Sequence, residues 1–221
     1  MSLSLIRHQE IFNPHDYNHL GVTIIGAGAI GSRVFATLVE LGVSNVTVYD
    51  FDVVEGHNLC SQAFIHKGVG SFKVDALSHL ALDKLGTIPT DYRFINERVT
   101  PKTPLAGAVF LLVDSLAERR NLFQAMGLDV HHVIDVRMAA THGNVYSFDP
   151  HTKGQAYLNT LGKDEDAEVS ACGSPFSVAP TAAILSNLAV WQFIHSCNNP
   201  AAGDEVLDVF LKPLNIATRS L

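Results

Sequence analysis

Cysteine, clustered basic charge and long apolar runs are all scarce in this chain, and each scarcity removes a class of protein. Three cysteines, Cys60, Cys172 and Cys197, are scattered through 221 residues. They are too few for a disulfide framework and suit a reducing compartment. No Cys-x-x-Cys pair occurs and the eleven histidines lack ligand-like spacing, so no structural zinc is expected. Lys and Arg number 15 against 22 Asp and Glu, a formal net charge of -7. Without a basic cluster, no nucleic-acid partner is expected, because phosphate backbones are held through grouped Lys and Arg. No stretch approaches the ~20 apolar residues that cross a bilayer, and the opening from Met1 to Arg7 is short for a secretory signal. A cytoplasmic protein with no membrane partner is the expectation.

What is present is an ordinary globular composition, 47% apolar and 17% charged, at a length that suits one well-filled domain. We read residues 1–20 as an N-terminal arm, 21–136 as a core and 137–221 as an extension. Residues 22–25 are a β-branched run meeting Gly26, residues 32–40 read as a helix, and residues 46–49 are a second apolar run ending at Asp50. That is a βαβ unit with parallel strands. Residues 51–70 show no period and read as a long loop. Residues 71–85 carry Val74, Leu77, Leu80, Ala81 and Leu85 at helical spacing, leaving Lys73 and Asp75 off the apolar stripe and free to face a cleft or water. Further strands are expected at 93–96, 109–113 and 132–136, with a helix at 118–126. After residue 136 the alternation stops. Residues 144–148 and 155–158 read as an antiparallel hairpin with Asp149-Pro150 and Gly154 as turn formers. Residues 180–195 are apolar nearly all round, the pattern of a buried or interface helix, and 206–211 read as a last strand. The fold class is therefore α/β, a Rossmann-like and mostly parallel sheet flanked by helices, with an antiparallel C-terminal extension.

Gly26-Ala27-Gly28-Ala29-Ile30-Gly31 fits G-x-G-x-x-G between a strand and a helix, the context that gives the motif meaning. Glycines let backbone approach phosphate oxygens, and unpaired N–H groups at a helix start favour an anion. Asp50, at the tip of the second strand, is placed to accept hydrogen bonds from ribose hydroxyls. These residues do not specify which nucleotide is bound.

The stretch Asp50-Phe51-Asp52-Val53-Val54-Glu55-Gly56-His57-Asn58-Leu59-Cys60-Ser61-Gln62 resembles the D-x-D-x-V-E-x-x-N-L-x-R-Q segment of the ThiF/MoeB superfamily, relatives of ubiquitin-activating enzymes. The resemblance extends to Lys73, to Asp114-Ser115 followed by Arg119, to Arg137-Met138, and to Cys172 with Pro180. It implies an adenylyltransferase that binds ATP and Mg²⁺ and joins AMP to a carboxylate, such as the C-terminus of a ubiquitin-like protein or peptide, with release of pyrophosphate. It further implies that Gly26, Gly28, Ala29, Gly31, Asp50, Asp52 and Gln62 line the nucleotide, that Asn58 and Lys73 neutralise phosphate charge, and that Asp114 holds the metal. Family members are commonly homodimers, and Arg7 is similar to an arginine that reaches across such a dimer.

Three positions depart from the pattern or keep a second reading. Ser61 stands where the family has arginine, and cannot grip a phosphate as a charged fork does. Ala29 replaces a glycine. Cys172 aligns with a cysteine that some members use to take the activated carboxyl group, yet a free cysteine is by default a small buried hydrophobe. Lys73 also reads as a solvated helix residue, Asn58 as a turn former, and Asp114 as the cap of the following helix, although together the coincidences favour function. A nucleotide-holding but inactive partner subunit and an NAD-dependent oxidoreductase are the alternative functions.

Overall fold

Short β-branched runs become strands where both of their faces can be covered. In the computed structural model, which describes residues 3–162, 177–199 and 205–221, Val22–Ile25 (β1) is buried at all four positions. It lies between Val46–Tyr49 (β2) and Gly107–Leu111 (β4), both parallel to it. Arg93–Ile95 (β3) and Val130–Met138 (β5) extend the parallel part on either side. His142–Phe148 (β6), Glu205–Leu211 (β7) and Leu214–Ser220 (β8) then add antiparallel neighbours. The eight strands run in the order β3-β2-β1-β4-β5-β6-β7-β8.

Alternation along the strands divides the core in two. Ile24, Val48, Phe110 and Ile134 face one way, against Phe35 and Leu38 of α1 (Gly31–Glu40), Leu77 of α2 (Lys73–Leu85) and Leu185 and Phe193 of α5 (Ala179–Asn198). Ile25, Val109, Val133 and Phe148 face the other, against Leu122 and Phe123 of α3 (Leu116–Gln124) and Tyr157 of α4 (Pro150–Asn159). Because both faces are covered at the centre of the sheet, β1 and β4 are buried at every position, whereas β2 alternates. At the N-terminal end Phe12 is buried in the first cluster and stacks on Tyr17 at 5.5 Å.

Two expectations fail at the C-terminal side. Residues 155–158 are not a strand but part of α4. The residues read as turn chemistry start that helix, for Asp149 caps it by accepting from the His151 N–H at 2.7 Å and Pro150 occupies its first turn. A four-residue window such as Gln155-Ala156-Tyr157-Leu158 does not distinguish a period of two from one of 3.6. The last strand is also followed by another, since β8 pairs with β7 along its whole length although every one of its residues is exposed, so no buried stripe announced it. The stretch 51–70 holds two 3₁₀ turns, Gly56–Cys60 and His66–Gly68. Helix α5 buries one face against β5, β6 and α1 and turns Ile184 and Trp191 outward. No helix among the described residues is long and apolar enough to cross a membrane.

Candidate nucleotide site

The chain leaves β1 through a turn that only glycine tolerates at two points. Gly26 sits at φ +96, and a Cβ there would come within 2.8 Å of the Leu112 carbonyl oxygen. A Cβ on Gly31 would stand 1.8 Å from the carbonyl oxygen of Gly26, so the loop folds back on itself only because that position is bare. Gly28 is different, for nothing lies within 4 Å of where its Cβ would be. The N–H groups of Gly28, Ala29 and Ile30 bond to nothing among the described residues, and Ile30 caps α1 without a side-chain bond. Three free donors at the positive end of a helix, beside open space, are what an anion requires.

The two glycines therefore respond differently to the same change. Gly31→Ala is expected to cost folding stability on the order of 1–3 kcal/mol or more, read from a urea melt. Gly28→Ala should leave the melt unchanged and weaken nucleotide binding, read by calorimetry. A Gly28→Ala chain that keeps wild-type nucleotide affinity would show that Gly28 has no ligand to admit.

Asp50 closes the turn from the other side. Its Oδ2 accepts from the Ala27 N–H at 2.6 Å and its Oδ1 from the Asp52 N–H at 2.8 Å. Burial pushes this carboxyl above the ordinary carboxylate value, opposed by the charge of Lys73 and by those two N–H donors. Lys73 opens α2, where the Val53–Phe72 bridge and the bond from its own N–H to the Asp52 carbonyl hold it against the end of β2. Its Nζ donates to Asp52 Oδ2 at 2.7 Å and stands 3.9 Å from Asp50 Oδ1. With a side chain only 8% exposed, it is not the solvated helix residue that its type makes the default, nor is it free to face water as the helical stripe suggested.

Asn58 is buried, and its Oδ1 accepts from the Glu55 N–H at 2.8 Å in a reciprocal cap of the first 3₁₀ turn. Its turn-forming reading thus holds, and its side-chain amide N–H₂ is the end left over for a ligand. Gln62 keeps a buried Oε1 with no hydrogen-bond donor among the described residues. This segment is tied to the start of α1 twice. The Ala63 N–H donates to Ser32 Oγ at 3.0 Å, and Arg33 Nε donates to the Ser61 carbonyl at 2.9 Å. Ser61 is itself buried and its Oγ accepts from Ser177 Oγ at 2.8 Å.

Asp114 follows β4 and is exposed. It does not cap α3, because Ser115 does so by accepting from the Glu118 N–H at 3.1 Å. The register Ile25–Leu111 and the bond from Leu112 N–H to the Ile25 carbonyl bring its loop out beside Gly26. The glycine turn, Asp50, Asp52, Asn58, Lys73 and Asp114 thus gather at the carboxyl ends of β1, β2 and β4, where ligands of open α/β sheets bind. Cys172 lies outside the described residues. Arg7, His57 and Cys60 are exposed, and Cys197 is buried.

Sequence reasoning missed the group that braces this end of the sheet. Asp135 is fully buried and pairs with Arg119, with Arg137 Nε at 2.8 Å and with the Tyr157 hydroxyl at 3.0 Å. Arg119 also donates to the carbonyls of Leu111 and Val136, both at 2.9 Å, which locks the ends of β4 and β5 together next to Asp114. Burial brings the Arg119 guanidinium down to about 10, so it stays charged at neutral pH.

Comparison with known proteins places this architecture. Among solved structures, Escherichia coli MccB with MccA-N7isoASN superposes with a TM-score of 0.75 at 17% identity, over 94% of this chain and 66% of that one. E. coli MccB with ATP gives 0.71 at 17% identity over 94% and 65%, and PaaA gives 0.69 at 15% identity over 96% and 67%. The chain thus spans about two thirds of the length of these proteins. No curated protein matches it. The model of the ThiF family matches residues 13–218, nearly the whole sequence. The chain belongs to the ThiF family.

Proposed function

We propose that this protein binds ATP with Mg²⁺ and transfers AMP to a carboxylate at the C-terminus of a peptide or ubiquitin-like protein. The observation that carries the reading is the set of three N–H groups at Gly28, Ala29 and Ile30, unpartnered among the described residues and flanked by Asp50 and Lys73. That E. coli MccB is solved with ATP, and also with SeMet MccA, supports a nucleotide and a second molecule meeting on this fold.

In the reaction a carboxylate oxygen attacks the α-phosphorus. The new O–P bond forms as the bond from that phosphorus to the bridging oxygen breaks, and pyrophosphate leaves with the electron pair. Asp50 accepts from the ribose hydroxyls through the lone pairs that Ala27 and Asp52 leave free. The N–H groups of the glycine turn hold phosphate oxygens, with Ala29 small enough to keep the backbone near them. Asn58 donates through its amide, Lys73 turns from Asp52 toward the charge that grows at phosphorus, and the buried Oε1 of Gln62 takes a donor from the ligand. Among the described residues no group of three metal-ligating side chains exists. A magnesium ion escorted by phosphates fits this, since it needs one or two carboxylates and keeps its waters. Asp114, exposed and freed from capping by Ser115, is the carboxylate for it. The ion would supply neutralisation of the departing pyrophosphate. Cys172 is proposed as the thiol that receives the acyl group in members that pass it on. A homodimer belongs to the same proposal, with the outward strip of α5 at Ile184 and Trp191 as its apolar surface.

The test is exchange of labelled pyrophosphate into ATP with Mg²⁺ and a set of peptides bearing free or amidated C-termini. Exchange with free carboxylates alone, lost in Asp114→Ala, is the expected result. Tight NADH binding without ATP binding would overturn it. A second reading, a nucleotide-holding subunit without catalysis, is favoured by Ser61 in place of arginine. It predicts ATP binding by calorimetry with no adenylate formed on any of the peptides.

A further inference from the structure

Arg33 is a cation with no evident reason to be where it is. It is in the first turn of α1, a turn with no acidic residue, where the helix dipole disfavours positive charge. Among the described residues it forms no ion pair, and its single hydrogen bond runs from Nε to the neutral carbonyl of Ser61. The charge is half-buried and carries four further N–H donors on Nη1 and Nη2 without a partner among those residues. Side chains on a helix slant toward its N-terminus, the end at which the N–H groups of Gly28, Ala29 and Ile30 lack partners among the described residues. The guanidinium is also held in place. The carbonyl of Ser61 fixes Nε, and the Ser32–Ala63 bond fixes the same loop against the same turn of helix.

We propose that Arg33 is a second phosphate-binding cation beside Lys73, taking from α1 the place that Ser61 cannot fill from the loop. The inference rests on the adenylation reading. A buried Ser61 satisfied by Ser177 leaves room beside its carbonyl for a guanidinium arriving from the helix. An arginine at both positions would set two like charges side by side, so the small residue at 61 and the cation at 33 form one arrangement. Its open fork matches two oxygens of a β- or γ-phosphate, as a planar donor pair does, and neutralising that charge removes the cost of a cation at the helix start. The residue that resemblance marks as a defect is then half of a relocated site.

Calorimetry with ATP and with AMP, each on the wild-type chain and on Arg33→Ala, Arg33→Gln and Arg33→Lys, tests this. Arg33→Gln keeps a donor for the Ser61 carbonyl without the charge and so separates clamping from phosphate binding. ATP affinity is expected to fall by about tenfold or more in the Ala and Gln variants, to recover in part in Lys, and AMP affinity to hold in all three. The proposal is overturned if wild-type ATP affinity survives Arg33→Gln, or if ATP and AMP affinities drop together. A wild-type chain that binds neither nucleotide would instead sink the adenylation reading on which it stands.

Discussion

Lys73→Ala is expected to lower pyrophosphate exchange by about 10²–10³-fold, the usual loss when one preorganised group facing transition-state charge is removed. The side chain is almost wholly buried, 2.7 Å from Asp52 and 3.9 Å from Asp50, so its charge is poised at the site rather than shared with water. Stability should fall modestly, because the half-exposed Asp52 loses an ion pair that water screens while the buried Asp50 loses an opposing charge. The pH profile carries the sharper signature. Lys73 lowers the proton affinity of the Asp50 carboxyl against burial, which raises it. Without the lysine that carboxyl climbs further, and since the ionised form accepts the ribose, activity falls away at a higher pH on the acid side. Residual exchange measured against pH should show this shift in Lys73→Ala and no acid limb from this group in Asp50→Asn. A folded Lys73→Ala with wild-type turnover and an unmoved limb would remove the lysine from the chemistry.

Asp135→Ala should be the most damaging single change to folding, costing about 3–5 kcal/mol in urea or thermal melts. Its carboxylate stands fully buried between the guanidinium groups of Arg119 and Arg137, and deleting it leaves two like charges facing each other without water. Tyr157→Phe removes only the hydroxyl that donates to the same carboxylate at 3.0 Å, and should cost about 1 kcal/mol. If the two substitutions prove equally mild, the charged group is not what holds β4 to β5. Because Arg119 also grips the Leu111 carbonyl, Asp135→Ala should loosen the approach to Asp114, and catalysis should weaken even where the fold persists.

The parallel half of the sheet was legible because its central strands, β1 and β4, are buried on both faces and its first two strands end at glycine or aspartate. Val22–Ile25 before Gly26 and Val46–Tyr49 before Asp50 carry their own boundaries. The nucleotide-side residues were legible for a related reason, since a glycine turn and an acidic strand end are local features. Lys73 was seen but its burial was not, because that depends on Phe72 pairing with Val53 across a twenty-residue loop. Asp135 was hidden inside an apolar run that reads as a plain strand, and its partners come from α3, from α4 and from two residues further along its own strand. Arg33 escaped for the opposite reason. It looks like any surface helix residue until the lack of an acidic partner among the described residues and the proximity of Ser61 are known. Helix α4 was misread because its first residues are equally good at ending a strand and at starting a helix.

The sheet ends unequally. On one side β3 has three residues, and on the other β8 has seven, bonded to β7 along one margin only. Among the described residues the outer margin of β8 is a row of main-chain donors and acceptors without strand partners, the condition under which one molecule can template the next. Leu214 and Ile216 lie there exposed, while Arg219, paired with Asp208 at 2.8 Å, is a charge of the kind that blunts such an edge. Self-association of this protein in concentrated solution should therefore begin at β8, and substituting Ile216 with lysine would suppress it far from the nucleotide.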